Sequence, residues 1–358
     1  NINLRIPKGQ VVMICGASGS GKTTLTRLIN GLALFYFPGT LTGQILLDGT
    51  DIKYLSSNEI FSKIGTVFQN SSAQFFNVNT TDEIAFGCEN IGVPNEKIFE
   101  RIGKVTRELS IEALLGKNLF TLSEGEKKKV ACAAVAAMDT QVLLLDEPTS
   151  NLDLSTLGDL KDMIRNWKKR GKTVIIVEHR LYFLKDLADR VIFMERGRIR
   201  LDLPIDKFKK IDVERLHQMG LRSQRRVRFF PQREKFSDAD KENFYFSDLT
   251  FSYGRENFLN IPKIHIPLGS VVGVLGYNGS GKTTFAKAIC GFEKGAGGTA
   301  FYKGRKLGPR ARRRLCYMVM QDVNNQFFTE SVLEEIVLSM ENEKEDTRLG
   351  AEVILHEL

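Results

Sequence analysis

The sequence predicts an α/β fold, a mostly parallel sheet flanked by helices, in two tandem copies of which the second is truncated. Three observations carry this reading. Apolar runs such as "VVMIC" (11–15), "VLLLD" (142–146) and "TVIIV" (173–177) alternate with helical stretches, the pattern of strands buried between helices. The nine residues "GASGSGKTT" (16–24) return as "GYNGSGKTT" (276–284). Similarity then continues past those nine residues, so two homologous domains are the simplest explanation.

The elements follow in order. "GQVVMIC" (9–15) and "GSVVGVL" (269–275) are the strands that lead into each repeat, and "LTRLING" and "FAKAICG" are the helices after it. Next come two short hairpins, "TGQILLDGTDI" (42–52) and "GGTAFYKGRKL" (297–307); Asp48-Gly49 is a two-residue turn signal. "FQNSSAQFFNVNTTDEI" (68–84) then matches "MQDVNNQFFTESVLEEI" (320–336) without a gap. Only the first copy continues into "TLSEGEKKKVACAAVAA" (121–137), "VLLLDEPTSNLD" (142–153) and "TVIIVEHR" (173–180). Residues 205–242, rich in Lys, Arg and Asp and broken by Pro204 and Pro231, read as a terminal helix and a linker. The domains are therefore placed at 1–222, 223–242 (basic linker) and 243–358. The opening Asn1 and the closing "GAEVILHEL" are read as the ends of a fragment.

Composition bounds the function. At 358 residues, 42% apolar and 26% charged, the chain suits two ordinary globular domains. The net charge of +8 concentrates in Arg222–Lys235 and Arg305–Arg314, clusters fit for phosphates, acidic headgroups or simply solvent. Five scattered cysteines argue against a disulfide framework and a zinc site. No apolar run reaches the about eighteen residues needed to cross a bilayer.

The motifs supply the chemistry. Gly16, Ala17, Ser18, Gly19, Ser20, Gly21, Lys22, Thr23 and Thr24 form a phosphate-binding loop after a buried strand. Lys22 is placed on the β- and γ-phosphates of a nucleotide and Thr23 on Mg²⁺. Gly276, Tyr277, Asn278, Gly279, Ser280, Gly281, Lys282, Thr283 and Thr284 repeat the set, with Thr283 as the second metal ligand. "VLLLDE" delivers two acids to a strand's carboxyl end: Asp146 for the metal shell, Glu147 to polarise an attacking water. An exposed acidic turn has the same form, and the position after a phosphate loop favours the site. His179 stands at the end of "TVIIV", placed either for a γ-phosphate or as an ordinary surface residue. Ser123 and Glu126 have capping-box spacing, so Ser123 and Gly125 open a helix able to bind an anion from another domain.

Together these motifs resemble an ATP-binding cassette (ABC) ATPase. The resemblance implies that Gln69 and Gln321 are the Q-loop glutamines, contacting metal and nucleotide, with Gln69 also catalytic. It implies that "LSEGE" (122–126) is the signature, "SNLD" (150–153) the D-loop, His179 the catalytic H-loop histidine and Tyr253 an adenine-stacking aromatic. ATP and Mg²⁺ are the implied cofactors. ATP lies between the phosphate loop of one cassette and the signature of the other, so two loops in one chain imply an intramolecular cassette pair. The "QFF" stretches and "EHRLYFLKDLADRVIFM" (178–194) resemble the fused twin-cassette ATPases of energy-coupling factor (ECF) importers. Such a protein binds a membrane scaffold subunit and a substrate-binding membrane subunit, on the cytoplasmic face of the bacterial membrane, and powers uptake of a vitamin or metal ion.

Two features depart from the family. "LSEGE" replaces "LSGGQ", bringing Glu124 and Glu126 near a phosphate site, and the first copy has no counterpart of Tyr253. The competing reading is a soluble twin cassette acting on the ribosome or nucleic acid through its Arg-rich linker. No nucleic acid is expected: the linker lacks a long helical hairpin, and the "QFF" aromatics suit a scaffold helix, unless they fill each domain's own core.

Overall fold

Val11–Cys15 form strand β1, and all five residues are buried. A strand apolar on both faces needs hydrogen-bonded neighbours at both edges and cover above and below. In the structure, a computed structural model describing residues 2–150, 152–221, 244–253, 256–277, 279–321, 323–340 and 347–357, it has both. The chain divides into two units, Asn1–Gln232 with Tyr277–Ser280, and Arg233–Gly276 with Gly281–Leu358.

In the first unit, β1 leads to helices α1 (Lys22–Ile29) and α2 (Leu32–Phe35) and to the hairpin β2 (Leu46–Leu47) and β3 (Thr50–Asp51). Asp48 and Gly49 both have positive φ, 51° and 85°, as their turn requires. Helix α3 (Ser57–Lys63) and strand β4 (Ile64–Val67) precede three helices, α4 (Thr80–Asn90), α5 (Asn95–Glu108) and α6 (Glu124–Ala137). Strand β5 (Val142–Asp146), helix α7 (Leu154–Lys169), strand β6 (Thr173–Val177), helix α8 (Leu181–Leu184) and strands β7 (Arg190–Glu195) and β8 (Arg198–Pro204) follow. Two short helices, α9 (Ile205–Phe208) and α10 (Val213–Gln218), end the described part of this unit.

The sheet order is β4-β5-β6-β1-β7-β8, parallel except for the β7/β8 pair. Val11, Met13 and Cys15 enter one core with Leu143, Leu145, Val174 and Ile176; Val12 and Ile14 enter the other with Leu144, Ile175 and Val177. This two-residue alternation explains why the strands are apolar throughout. Because β4, β5, β6 and β1 run parallel, their carboxyl ends share one edge. There Gln69, Asp146, His179 and Gly16 emerge.

The second unit holds a four-stranded antiparallel sheet, β10-β9-β11-β12, built from β9 (Phe244–Tyr253), β10 (Glu256–Ile266), β11 (Thr299–Tyr302) and β12 (Arg305–Leu307). Its helices are α11 (Lys282–Cys290), α12 (Pro309–Leu315), α13 (Val332–Ser339) and α14 (Thr347–Glu357). The expected strand before the second phosphate loop is corrected here. Residues 271–277 carry no strand, and Val271, Val272, Val274 and Leu275 are exposed. No described strand pairs with them in the way that β6 and β7 pair with β1.

The Arg305–Arg314 cluster is only partly a solvent face. Arg312 is buried and donates to Ala288 O at 2.8 Å, and Arg313 donates to Gly291 O, so both serve the carbonyl end of α11. All five cysteines are free. Among the described residues no helix is long and apolar enough to cross a membrane. Linker residues 223–242 and the whole Arg222–Lys235 cluster lie outside the described residues.

Candidate functional site

The first phosphate loop is shaped by its glycines. At Gly16 a Cβ would stand 2.2 Å from Met194 O and 2.7 Å from Ser20 Oγ, so no larger residue fits. Gly19 (φ 73°) and Gly21 (φ 94°) take the left-handed conformation, which turns the loop into the start of α1. Buried Lys22 donates from Nζ to Gly16 O (3.0 Å) and Ala17 O (2.8 Å). Burial pulls its pKa down, and the charges of Glu147 and Asp146 push it back up.

Asp146 ends β5, buried, with Oδ1 lacking a hydrogen-bond partner among the described residues. Burial, then the neighbouring Glu147, raise its pKa; Lys22 and a hydrogen bond from Thr23 oppose them. Glu147 moves the other way. A hydrogen bond with His179 holds its carboxyl below the usual carboxylate range. His179 Nε2 lies 3.0 Å from Glu147 Oε1, and Gln69 Nε2 donates to Glu147 Oε2 at 2.9 Å. Glu147 adopts φ 46°, unusual for a residue with a side chain, and its N–H donates to Val177 O at 2.9 Å. Adjacent carboxyls with pKa values pushed apart are the pattern expected where one acid stays ionised to accept a proton.

A cavity of about 380 Å³ opens on this edge, lined by Ala17, Ser18, Gln69, Glu147 and His179 together with Gly220 and Leu221. The structure thus brings together the phosphate loop, Gln69, Glu147 and His179. Ser123 and Gly125 do not line it. Ser123 instead caps α6, its Oγ accepting from Glu126 N, while Glu126 accepts from Ser123 N at 2.8 Å. Glu126 is thereby turned onto the backbone, as its capping-box spacing requires.

The second loop repeats the local shape. Gly279 (φ 77°) and Gly281 (φ 89°) match Gly19 and Gly21, and Lys282 donates to Gly276 O at 2.8 Å as Lys22 does to Gly16 O. Tyr277, Ser280, Thr283 and Gln321 are exposed, Thr284 is buried, and Tyr253 ends β9. Asn278, like Asn151 of "SNLD", lies outside the described residues.

Three further side chains build the site without having been singled out in the sequence. Glu178, buried beside His179, accepts from His179 N (2.8 Å), Arg180 N (3.0 Å) and Thr149 N (3.3 Å), tying the end of β6 to the turn after β5. Gln74 accepts from Phe68 N (3.1 Å) and donates to Thr66 O (3.3 Å), while Glu83 accepts from Phe76 N and Asn77 N. Gln326 and Glu335 repeat both clamps on Met320 N, Met318 O, Phe328 N and Thr329 N. The gap-free internal alignment held this signal, since Gln74 and Glu83 coincide with Gln326 and Glu335. The clamps fix the aromatic pair: Phe75 packs on the core, whereas Phe76 is 77% exposed and stacks on Phe86 at 5.0 Å. Phe327 and Phe328 are both exposed.

The family model described as "ABC transporter" matches residues 1–150 and 259–358. Two proteins of Treponema denticola, both provisionally named ABC transporter ATP-binding proteins, are similar to this chain. One is 40% identical, over 96% of this chain and 71% of its own length; the other is 38% identical, over 95% and 70%. Among solved structures, cbiO1 of Clostridium perfringens, described as part of the ABC transporter complex cbiONQ, is 31% identical. The match covers 61% of this chain and 86% of cbiO1, with a TM-score of 0.52.

Proposed function

The chain belongs to the ABC transporter family as an ATP-hydrolysing, ATP-binding protein, and from that premise we propose that it is the twin-cassette motor of an ECF-type importer. It would power uptake of a vitamin or metal ion through a membrane scaffold subunit and a substrate-binding membrane subunit, from the cytoplasmic face of the membrane. The observation that carries this reading is the repeated clamp that presents Phe76 and Phe328 at the surface, each in the loop of a Q-loop glutamine. Exposed aromatics on a fixed backbone bind a partner at low entropic cost. The likeness to cbiO1 supports the choice of importer class.

In the first site the phosphates of ATP bind the N–H groups of residues 16–24 and the positive end of α1. Lys22, held among loop carbonyls, adds a positive charge beside them. Glu147 accepts a proton from the attacking water, with one oxygen oriented by His179 and the other by Gln69. The unpartnered Oδ1 of Asp146 and the adjacent Thr23 hydroxyl fit a hard divalent cation, and Gln69 is assigned to the same ion. Among the described residues no trio of His, Cys, Asp or Glu gathers to hold a metal, in keeping with Mg²⁺ bound chiefly through phosphates and water. When bound, Mg²⁺ neutralises phosphate charge. Lys282, Thr283, Gln321 and Tyr253 would hold a nucleotide at the second loop, and Ser123 and Gly125 open a helix able to bind an anion.

The test is fractionation of cells producing the full-length protein with the membrane proteins encoded beside it. The wild type is expected to sediment with membranes, and a Phe76→Ser, Phe328→Ser variant to move to the soluble fraction with ATP binding intact. Wild-type protein found with ribosomes would overturn the proposal.

A further inference from the structure

Three lysines follow the signature in sequence, and the structure separates their roles. Lys127 pairs with Glu124 and Lys129 with Asp159. Lys128, between them, is 4% exposed and points inward from α6. Its Nζ donates to Phe68 O at 3.0 Å and to Gln69 O at 2.8 Å. A buried ammonium is costly unless it is hydrogen-bonded and faces opposite charge. Both conditions hold, since Asp146, Glu147 and Glu178 lie close enough to favour its charged form against its burial.

The contacts form a chain. Ser123 caps α6 ahead of Lys128; Lys128 grips the backbone of Gln69; and Gln69 donates to Glu147 Oε2. Gln74 holds the same loop from within, through Phe68 N and Thr66 O. We propose that Lys128 is a positioning residue for ATP hydrolysis, which links the signature end of α6 to the carboxylate of Glu147 by fixing the backbone of Phe68 and Gln69. This rests on reading Glu147 as the group that accepts the proton. A shift of α6 when Ser123 meets a nucleotide would thus reach the opposite end of the chain of contacts.

A double-mutant cycle in the full-length ATPase tests it. Lys128→Met is expected to lower kcat about tenfold while KM and ATP Kd stay within about twofold, because what is loosened is the contact of Gln69 with Glu147 while the phosphate loop around Lys22 is untouched. Gln69→Ala should cost a similar factor, and the double variant should be at most about twofold slower than Gln69→Ala alone, as coupled residues are not additive. Lys128→Arg, which keeps donors toward the two carbonyls, should recover most of kcat. Independent, multiplying losses would overturn the proposal, as would wild-type kcat in Lys128→Met or a loss confined to KM. If Lys128→Met melts out and no longer binds ATP, the same cycle run with Lys128→Gln decides by the same criteria. Glu147→Gln is measured alongside. Wild-type turnover in that variant would sink the proton-acceptor reading, whereas an inactive Glu147→Gln with an additive cycle sinks only the role of Lys128.

Discussion

The two phosphate loops share a local shape and differ in their setting. Residues 16–24 follow a strand paired on both edges and wholly buried, while residues 276–284 follow an apolar stretch that is exposed and carries no strand. Even so, the paired glycines keep their left-handed φ and the lysine keeps its carbonyl contact in both. The loop is therefore written locally, by glycines and a helix start. Its seat depends on other strands. Burying a Val or Leu is worth about 1.5–3 kcal/mol, so the wholly buried residues of β1 contribute much of what seats the first loop.

The largest expected effect that separates the copies is on nucleotide binding. Removing a charge-assisted contact to phosphate costs up to about 3 kcal/mol, so Lys22→Ala should weaken ATP binding at the first loop by about 10²-fold. Lys282→Ala should weaken binding of the second nucleotide by a smaller factor, because Lys282 is half-buried where Lys22 is buried. Equal losses would mean that loop geometry alone sets affinity, whatever the burial of the lysine.

A smaller effect carries the comparison down to neighbouring residues. Phe75 packs on the core and Phe76 faces out, so Phe75→Ser should cost about 2–3 kcal/mol in urea unfolding. Phe76→Ser should cost less than about 1 kcal/mol. Equal costs would show that both rings are core, and would remove the docking role proposed for Phe76.

Much of this was legible in the residues. The strand-loop-helix order, the turn at Asp48-Gly49, the capping box at Ser123 and the acids after β5 all follow from local rules of spacing and side-chain chemistry. Glu147's left-handed backbone was not legible, because it goes with a hydrogen bond to Val177 O, on a strand distant in the sequence. Lys128 is one of three consecutive lysines, and only the packing of α6 against the loop of Gln69 sets it apart. Arg312 likewise looked like surface charge, and its burial depends on where α11 ends. The strand expected at 271–275 failed for the same reason: its hydrogen bonds must come from segments distant in the chain. Gln74 and Glu83 are different, for their recurrence as Gln326 and Glu335 was visible in the repeat and only their function as clamps required coordinates.

The central claim is that Glu147, oriented by Gln69 and His179, is the proton acceptor for ATP hydrolysis. Glu147→Gln preserves the shape of the side chain and removes its basicity. Single-turnover hydrolysis by the full-length protein, with ATP binding measured in the same samples, should slow by about 10²- to 10⁴-fold while affinity for ATP is retained. Hydrolysis at the wild-type rate, with ATP bound as tightly as before, would contradict the account.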